Sequence, residues 1–342
     1  MKRYLFVLGS VLACAAAVLV QAQTHAPGPA PYPPFTAEQA RLGKQLIATT
    51  LEIRKDITNN SLPAEPYKII GNLYFVGDLN GEAFLLTSPQ GDILMGATDQ
   101  DAVGNEEKSI ESLGFKLTDI KAIIVNHNHG DQAGGASELK EKTGAPLMAA
   151  FSEIPYIEHG MFNPPAIPAP APEAPGPGIG GPGAPGSPRR FPAAHVDRAL
   201  FDGDVVKVGP LSVTTYLTPG HSPGSTTFAY TVRDGGRDYK VVEFCCWEYP
   251  DDLSKNAYIT EATVRHTFET LSKLYPVDIY LETSVSNWSG ILSQPSGSLR
   301  ERMAAAKANP KLFVNREIFN DITAAREVEF EEKLAKLRAA NH

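Results

Sequence analysis

From Tyr67 onward the chain is written in short apolar runs closed by Gly, Asn and Pro, and this texture constrains the fold more than any other feature. The runs "YKIIGNLYFVG", "EAFLLTSPQG" and "DILMGAT" are rich in β-branched and aromatic residues and read as consecutive strands. "NEEKSIESLGFKLTDI" follows with a helix that ends near Gly114. "KAIIVNH" reads as a buried strand, and "GGASELKEKTGAPLMAA" as a helix and the next strand. Further on, "HVDRALFDGDVVKVGPLSVTTYLTPGHSPGSTTFAYTVRDGGRDYKVVEFCCW" again alternates short strands with glycine turns. "ITEATVRHTFETLSKLY" is a helix, "VDIYLETS" a buried strand, and "DITAAREVEFEEKLAKLRAA" an amphipathic closing helix. A meander of strands followed by alternating strands and helices predicts sheet layers covered by helices on their outer faces.

One segment breaks the pattern. Residues 163–188, "NPPAIPAPAPEAPGPGIGGPGAPGSP", offer almost nothing to bury. Such a stretch cannot offset its ordering entropy and is expected to be extended, as an interdomain linker or an enlarged loop.

The N-terminus carries its own signal. "MKRYLFVLGSVLACAAAVLVQAQ" has a basic start, an apolar run and small or modest residues before Ala22, so residues 1–22 read as a secretory signal cleaved after Ala22. The run is short for a membrane span, although an uncleaved anchor is the competing reading. Val-Leu-Ala before Cys14 hints at a lipoprotein signal, but the apolar run continues past it. The expectation is an exported protein, periplasmic or secreted, with no stable membrane association after cleavage. Residues 23–63 then form a Pro-rich leader and a helix, with Thr36 as N-cap and Gln39 completing a capping box. A formal net charge of -8 argues against a nucleic-acid partner. After cleavage only Cys245 and Cys246 remain, and adjacent cysteines rarely pair, so no disulfide framework is expected.

Chemistry concentrates in "VNHNHGDQAGG", residues 125–135. His127 and His129 lie two apart on an extended strand end, so both rings lean the same way and can reach one ion at about 2.0–2.1 Å. Asp131 follows in the turn, where Gly134 and Gly135 permit close backbone approach. A second stretch, "LTPGHSPGST", supplies His221. Three histidines with one open position form the pattern of a catalytic zinc, which lowers the pKa of its bound water from about 15.7 to roughly 7. The plainer alternative is three unrelated loop or core histidines.

The chain resembles the metallo-β-lactamase superfamily, and within it the third subclass of zinc β-lactamases. The resemblance rests on "EPYKIIGNLYFVG", "SIESLGFKLTDIKAIIVNHNHGDQAGGASELKEKTGAP", "HVDRALFDGDVVKVG", "LTPGHSPGSTTFAYTVRDGGRDYKVV" and "RHTFETLSKLYPVDIYL", which span nearly everything from residue 64 to 288. It implies an α+β fold, a four-layer αββα sandwich over residues 64–342, with the metals at one edge of the two sheets. It makes His127, His129 and His221 the ligands of a first zinc and Asp131 a ligand of a second. It also places residues 163–190 where the family carries a loop over the active-site mouth, which favours an inserted loop over a linker.

Departures from the family pattern fall on the second zinc. Gln132 stands where the family has histidine, and Glu282 stands at or near another histidine position before Ser286-Asn287-Trp288. Glu282 is either a substitute ligand or a solvated strand-end charge. Cys246 falls near a cysteine ligand of another subclass, or is simply a small buried residue. Gly96 replaces an aspartate that usually supports the ligands. The implied activity is that of a hydrolase with one fully provided zinc. Asp131 orients the nucleophile, Gln132 steadies the oxyanion, and Ser284 and Ser222 contact substrate. Asn126 and Ser222 are candidates for supporting hydrogen bonds, and Trp288 and Phe162 for pocket walls. A lactone or ester hydrolase and a non-catalytic metal-binding protein are the rival readings.

Overall fold

The computed structural model describes residues 35–55, 63–79, 82–161, 191–250, 253 and 256–340. The signal sequence, Cys14, the Pro-rich leader up to residue 34, Phe162 and the Pro/Gly-rich segment lie outside the described residues.

Two sheets carry the fold. The first contains β1 (Tyr67–Ile70), β2 (Leu73–Phe75), β3 (Phe84–Leu86), β4 (Asp92–Met95), β5 (Ile120–Ile124), β6 (Leu147–Ala150) and β7 (Arg198–Leu200), side by side in chain order. Its first four strands form an antiparallel meander, and β4 to β7 run parallel. The second sheet contains β8 (Val205–Val208), β9 (Leu211–Leu217), β10 (Thr226–Asp234), β11 (Arg237–Phe244) and β12 (Ile279–Glu282). It is antiparallel except for β12, which pairs parallel with β11. The described helices are α1 (Ala37–Arg54), α2 (Val103–Ser112), α3 (Gly130–Ala133), α4 (Ala136–Thr143), α5 (Ile154–His159), α6 (Glu261–Leu274), α7 (Ser289–Leu292), α8 (Leu299–Ala308) and α9 (Arg316–Ala340).

Three apolar layers separate four structural ones. Ile93, Met95 and Ile124 of the first sheet meet Val213, Phe228, Val241, Ile279 and Leu281 of the second. On the outer face of the first sheet, Leu94, Ile123 and Leu147 meet Val103 and Ile110 of α2 and Leu139 of α4. On the outer face of the second, Val242, Phe244 and Tyr280 meet Phe268 and Leu271 of α6 and Phe319 and Phe330 of α9. Successive strand residues therefore serve opposite layers, which is why these strands read as continuous apolar runs rather than alternating ones. The result is the expected α+β, αββα sandwich. Trp288 is core, packed among Phe75, Phe84 and Phe313.

The Pro/Gly-rich segment is bracketed by neighbours that meet. Phe191 N donates to Gly160 O at 3.0 Å and Ala194 N to Ile157 O at 3.2 Å. Strand β7, after the segment, pairs with β6, before it.

Helix α1 begins at the expected capping box, with Gln39 N donating to Thr36 Oγ1 and Thr36 N to Gln39 Oε1. Its inner face lies so close to α9 that a Cβ on Gly43 would stand 1.8 Å from the backbone oxygen of Asp321. Gly43→Ala is expected to cost about 1–3 kcal/mol, read as an earlier urea midpoint. An unchanged midpoint would show that the two helices do not press on each other there.

Helix α2 buries Glu106, whose carboxylate accepts from Thr98 Oγ1 at 2.7 Å. Burial pushes its carboxyl up to about 8, against the lowering pull of the Thr98 hydroxyl. A carboxyl held above its unfolded value stabilises fully below that value, and its contribution is lost as pH rises through the folded value. Glu106→Gln is therefore expected to gain about 2 kcal/mol on the parent between pH 6 and pH 9 in urea titrations. A difference that does not change with pH would contradict this.

Candidate metal centre

The first histidine loop begins where β5 ends. Pairing stops at Ile124, so His127 and His129 sit past the strand on an irregular loop rather than on the strand end itself, and α3 starts at Gly130. The turn after α3 packs against the loop that follows β4. Gly135 N donates to Ala97 O, and a Cβ on Gly135 would meet that oxygen at 2.4 Å. The second loop joins β9 to β10 and carries His221. The two loops are tied by Thr226 N, which donates to Asn126 O at 2.8 Å.

His127, His129 and His221 converge. Their ring centroids are 4.6, 4.9 and 4.5 Å apart in pairs, and one nitrogen of each lies within 4.8 Å of the others. His221 Nε2 lies 2.7 Å from His129 Nδ1. His127 Nδ1 contacts Asn126 Oδ1 at 2.8 Å; read as N–H donating to the amide oxygen, this leaves the lone pair on Nε2. That Nε2 is buried and has no hydrogen-bond partner. Burial, then the neighbouring His129 and His221, hold His127 well below the usual histidine range. His221 is lowered to about 4 by burial and His129, against Glu248 and Asp131. Three converging imidazoles, one with an orphaned buried nitrogen, suit a divalent cation such as zinc.

Asp131 stands beside them, half-buried, with Oδ1 at 3.6 Å from His127 Nε2. Desolvation pushes its carboxyl up to about 6, against the pull of His221. Cys246, at the end of β11, also reaches the centre. Its sulfur lies within 4.8 Å of ligand atoms of His127 and Cys245, and of His221 and Glu248. Glu248 was not singled out from the sequence, and its carboxylate is 3.9 Å from His221 Nδ1.

Three expected roles need correction. Gln132 is buried and turned away, with Nε2 donating to Glu82 O at 3.0 Å, so it presents no amide to an oxyanion. Glu282 is buried, one oxygen accepting from Tyr280 OH at 2.6 Å and the other from Asn287, and among the described residues it joins none of the groups of converging ligand atoms. Burial pushes it up to about 7, the Tyr280 hydroxyl opposing. Ser222 is buried too, and its hydroxyl donates to Glu153 rather than facing a substrate. Ser284, by contrast, is half-buried with its hydroxyl 2.8 Å from that of Ser286. Gly96 has φ +88°, and a Cβ there would stand 2.4 Å from Glu82 O and 3.1 Å from Gln132 Oε1. The Gln132 side chain and the Glu82 backbone thus fill the space that an aspartate at 96 would need.

Glu153 was missed. It lies in "AFSEIPY", just after β6, with no motif to mark it. Its Oε1 accepts from Ser222 Oγ at 2.8 Å and from Gly224 N, and the Asn128 N–H also points to the carboxylate. One buried carboxylate thus holds both histidine loops. Burial pushes it up to about 7, and the Ser222, Gly224 and Asn128 bonds oppose that shift.

With this geometry in view, comparison with known proteins is informative. Residues 76–234 match the metallo-beta-lactamase superfamily. The hydroxyacylglutathione hydrolase of Rhodopseudomonas palustris (strain BisB5) is 28% identical over 122 residues, 36% of this chain and 32% of that protein. The chain therefore spans about a third of the length of that curated relative. Among solved structures, BJP-1, a subclass B3 metallo-beta-lactamase of Bradyrhizobium japonicum, is 29% identical with a TM-score of 0.65. That match covers 84% of this chain and 99% of that one. A Cronobacter sakazakii metallo-beta-lactamase described by a HARLDQ motif is 27% identical, with a TM-score of 0.67 over 82% of this chain and 98% of that one. That motif ends in Asp-Gln, as Asp131-Gln132 does here.

Removing the tie between the loops should loosen the histidines. Glu153→Ala is expected to weaken zinc binding about 10–100-fold in chelator competition. Affinity equal to the parent's would show that the loops hold their positions without Glu153.

Proposed function

The chain carries a metallo-beta-lactamase superfamily domain, and from this premise we propose a zinc-dependent hydrolase that opens an ester or a cyclic amide in a small molecule. The convergence of three imidazoles from two loops carries the reading. His127, His129 and His221 would hold the zinc, which would supply a Lewis acid and lower the pKa of water toward neutrality. The protein's own residues prepare the corner. Asn126 directs the lone pair of His127, and Glu153 holds the two loops together. Asp131 borders the same corner, with Oδ1 3.6 Å from His127 Nε2, and is placed to take a proton there.

Substrate preference follows from the residues around the second position. Gln132 and Glu282 are both committed elsewhere, and Gly96 brings no carboxylate. What remains there is Asp131, Cys246 and Glu248. An amide nitrogen leaves as a strong base and needs more help than an alkoxide or thiolate. This supports an ester, lactone or acyl thioester ahead of a β-lactam. The relative named as a hydroxyacylglutathione hydrolase agrees with that order, and the β-lactamase neighbours keep the cyclic amide as the second substrate class.

Export with cleavage after Ala22 is part of the proposal on the sequence alone. Among the described residues no helix is long and apolar enough to cross a membrane.

Zinc titration and turnover on one sample test the reading. The expectation is a single tightly held zinc, lost in His221→Ala, and faster turnover of a homoserine lactone or acyl thioester than of a chromogenic cephalosporin. Two equally tight zincs with fast cephalosporin turnover would reverse the substrate order. Zinc uptake without turnover of any of the three would make this a metal-binding protein instead.

A further inference from the structure

Hydrolysis as proposed makes no use of Cys245, yet that residue is fully buried against the centre. Cys245 and Cys246 follow the last residue of β11. Their sulfurs are 2.8 Å apart. Cys245 Sγ lies 3.5 Å from His127 Nδ1, on the same side of the ring as Asn126. Cys246 is half-buried, with Sγ 3.1 Å from Thr283 Oγ1. The segment is held on both sides, because Thr283 also donates its hydroxyl to Cys245 O while Phe244 pairs with Glu282 in the β11–β12 register. Two thiols in contact, one on a half-buried residue and one on a fully buried residue, can serve as an attacking and resolving pair.

We infer that Cys245 and Cys246 form a reversible dithiol site, which low-molecular-weight disulfides oxidise to a vicinal disulfide. The chemistry is thiol–disulfide exchange in two steps. Cys246, as thiolate, attacks one sulfur of the small disulfide, forming a mixed disulfide and releasing one small thiol. Cys245 then attacks the Cys246 sulfur, closing the ring and releasing the second small thiol. The two cysteines lose two electrons and two protons, and the small disulfide takes up both. Consecutive Cα atoms are about 3.8 Å apart, shorter than the roughly 4.4–6.8 Å of ordinary disulfides, so the ring is strained and readily reduced. This suits a bond that opens and closes rather than a structural one, and it extends rather than contradicts the expectation of no disulfide framework.

Ring formation stands on the sulfur geometry alone. Its consequence rests on the metal reading: once oxidised, Cys246 has no thiol to offer a cation beside His221 and Glu248.

The full chain, reduced and then exposed to excess oxidised glutathione at alkaline pH, should be acid-quenched, alkylated, digested and weighed. The peptide holding residues 245 and 246 should be two hydrogens lighter, unalkylated and restored by dithiothreitol. Two alkylated thiols, a stable glutathione adduct or a cross-link between chains would overturn the inference. Cys245→Ser should stop at a glutathione adduct on Cys246, whereas Cys246→Ser should leave Cys245 unmodified; rapid reaction of Cys245 in the second variant would overturn the assigned order. Should either variant fail to fold, the parent's peptide mass still decides. Cadmium added to the reduced and oxidised parent separates the consequence from the bond. Sulfur-to-cadmium absorbance should appear only in the reduced form; if it appears in neither while the disulfide forms, the dithiol stands and the cation role of Cys246 falls.

Discussion

Everything at the candidate centre depends on Asn126, because it joins the two sheets and sets the chemistry of a ring in the same few ångströms. Its carbonyl accepts from Thr226 at the start of β10, so the loop leaving the first sheet is fixed to the strand that follows His221. Its side-chain oxygen faces His127 Nδ1 and leaves Nε2 as the free acceptor. Neither contact would exist without the apolar layer that brings the sheets face to face, from Met95 and Ile124 on one side to Phe228 and Leu281 on the other. The packing supplies the distance, and Asn126 turns that distance into a direction for the imidazole. Glu153 acts the same way from the far side, by accepting bonds from both loops.

The space that the resemblance assigned to a second metal shows a coherent rearrangement. Gly96, Gln132 and Glu82 fit together. A positive φ at 96 lets the chain pass close to Glu82 O, and the Gln132 amide bonds that same oxygen. Behind them lies a group of buried carboxyls. Burial raises Glu82 well above the usual range, and the nearby Glu243 and Glu282 add to the effect. Glu243 is pushed up to about 8 and Glu282 to about 7, in each case by burial first. These groups are held close to neutrality as hydrogen-bonding acids in the interior. The residues at 96 and 132 are therefore parts of one packing solution rather than two separate losses.

This also marks where sequence reading succeeds and where it stops. The strands, the capping box at Thr36 and the histidines at 127, 129 and 221 are legible because each rests on local pattern: apolar runs, a four-residue cap, ligand spacing beside glycines. Helix α8 was not read, since Leu299–Ala308 has only a weak apolar stripe next to Ser- and Gly-rich flanks. Side-chain direction is the larger gap. Gln132, Glu282 and Ser222 sit where the spacing suggests but turn to partners at Glu82, Tyr280 and Glu153, which are distant in sequence or unmarked by any motif. Glu153 itself could be found only by asking which acid the fold brings under the Pro-Gly-His turn.

The hydrogen bond between Gly160 and Phe191 has a consequence for how such a chain can change over time. It seals the point where the polypeptide departs from the sheet layer and comes back to it. The entropic cost of joining two fixed ends grows only as the logarithm of the number of residues between them, about 0.6 kcal/mol per doubling. Insertions and deletions between those two residues are thus nearly silent to the packed layers, and this stretch can drift in length and composition while the histidine corner stays as it is.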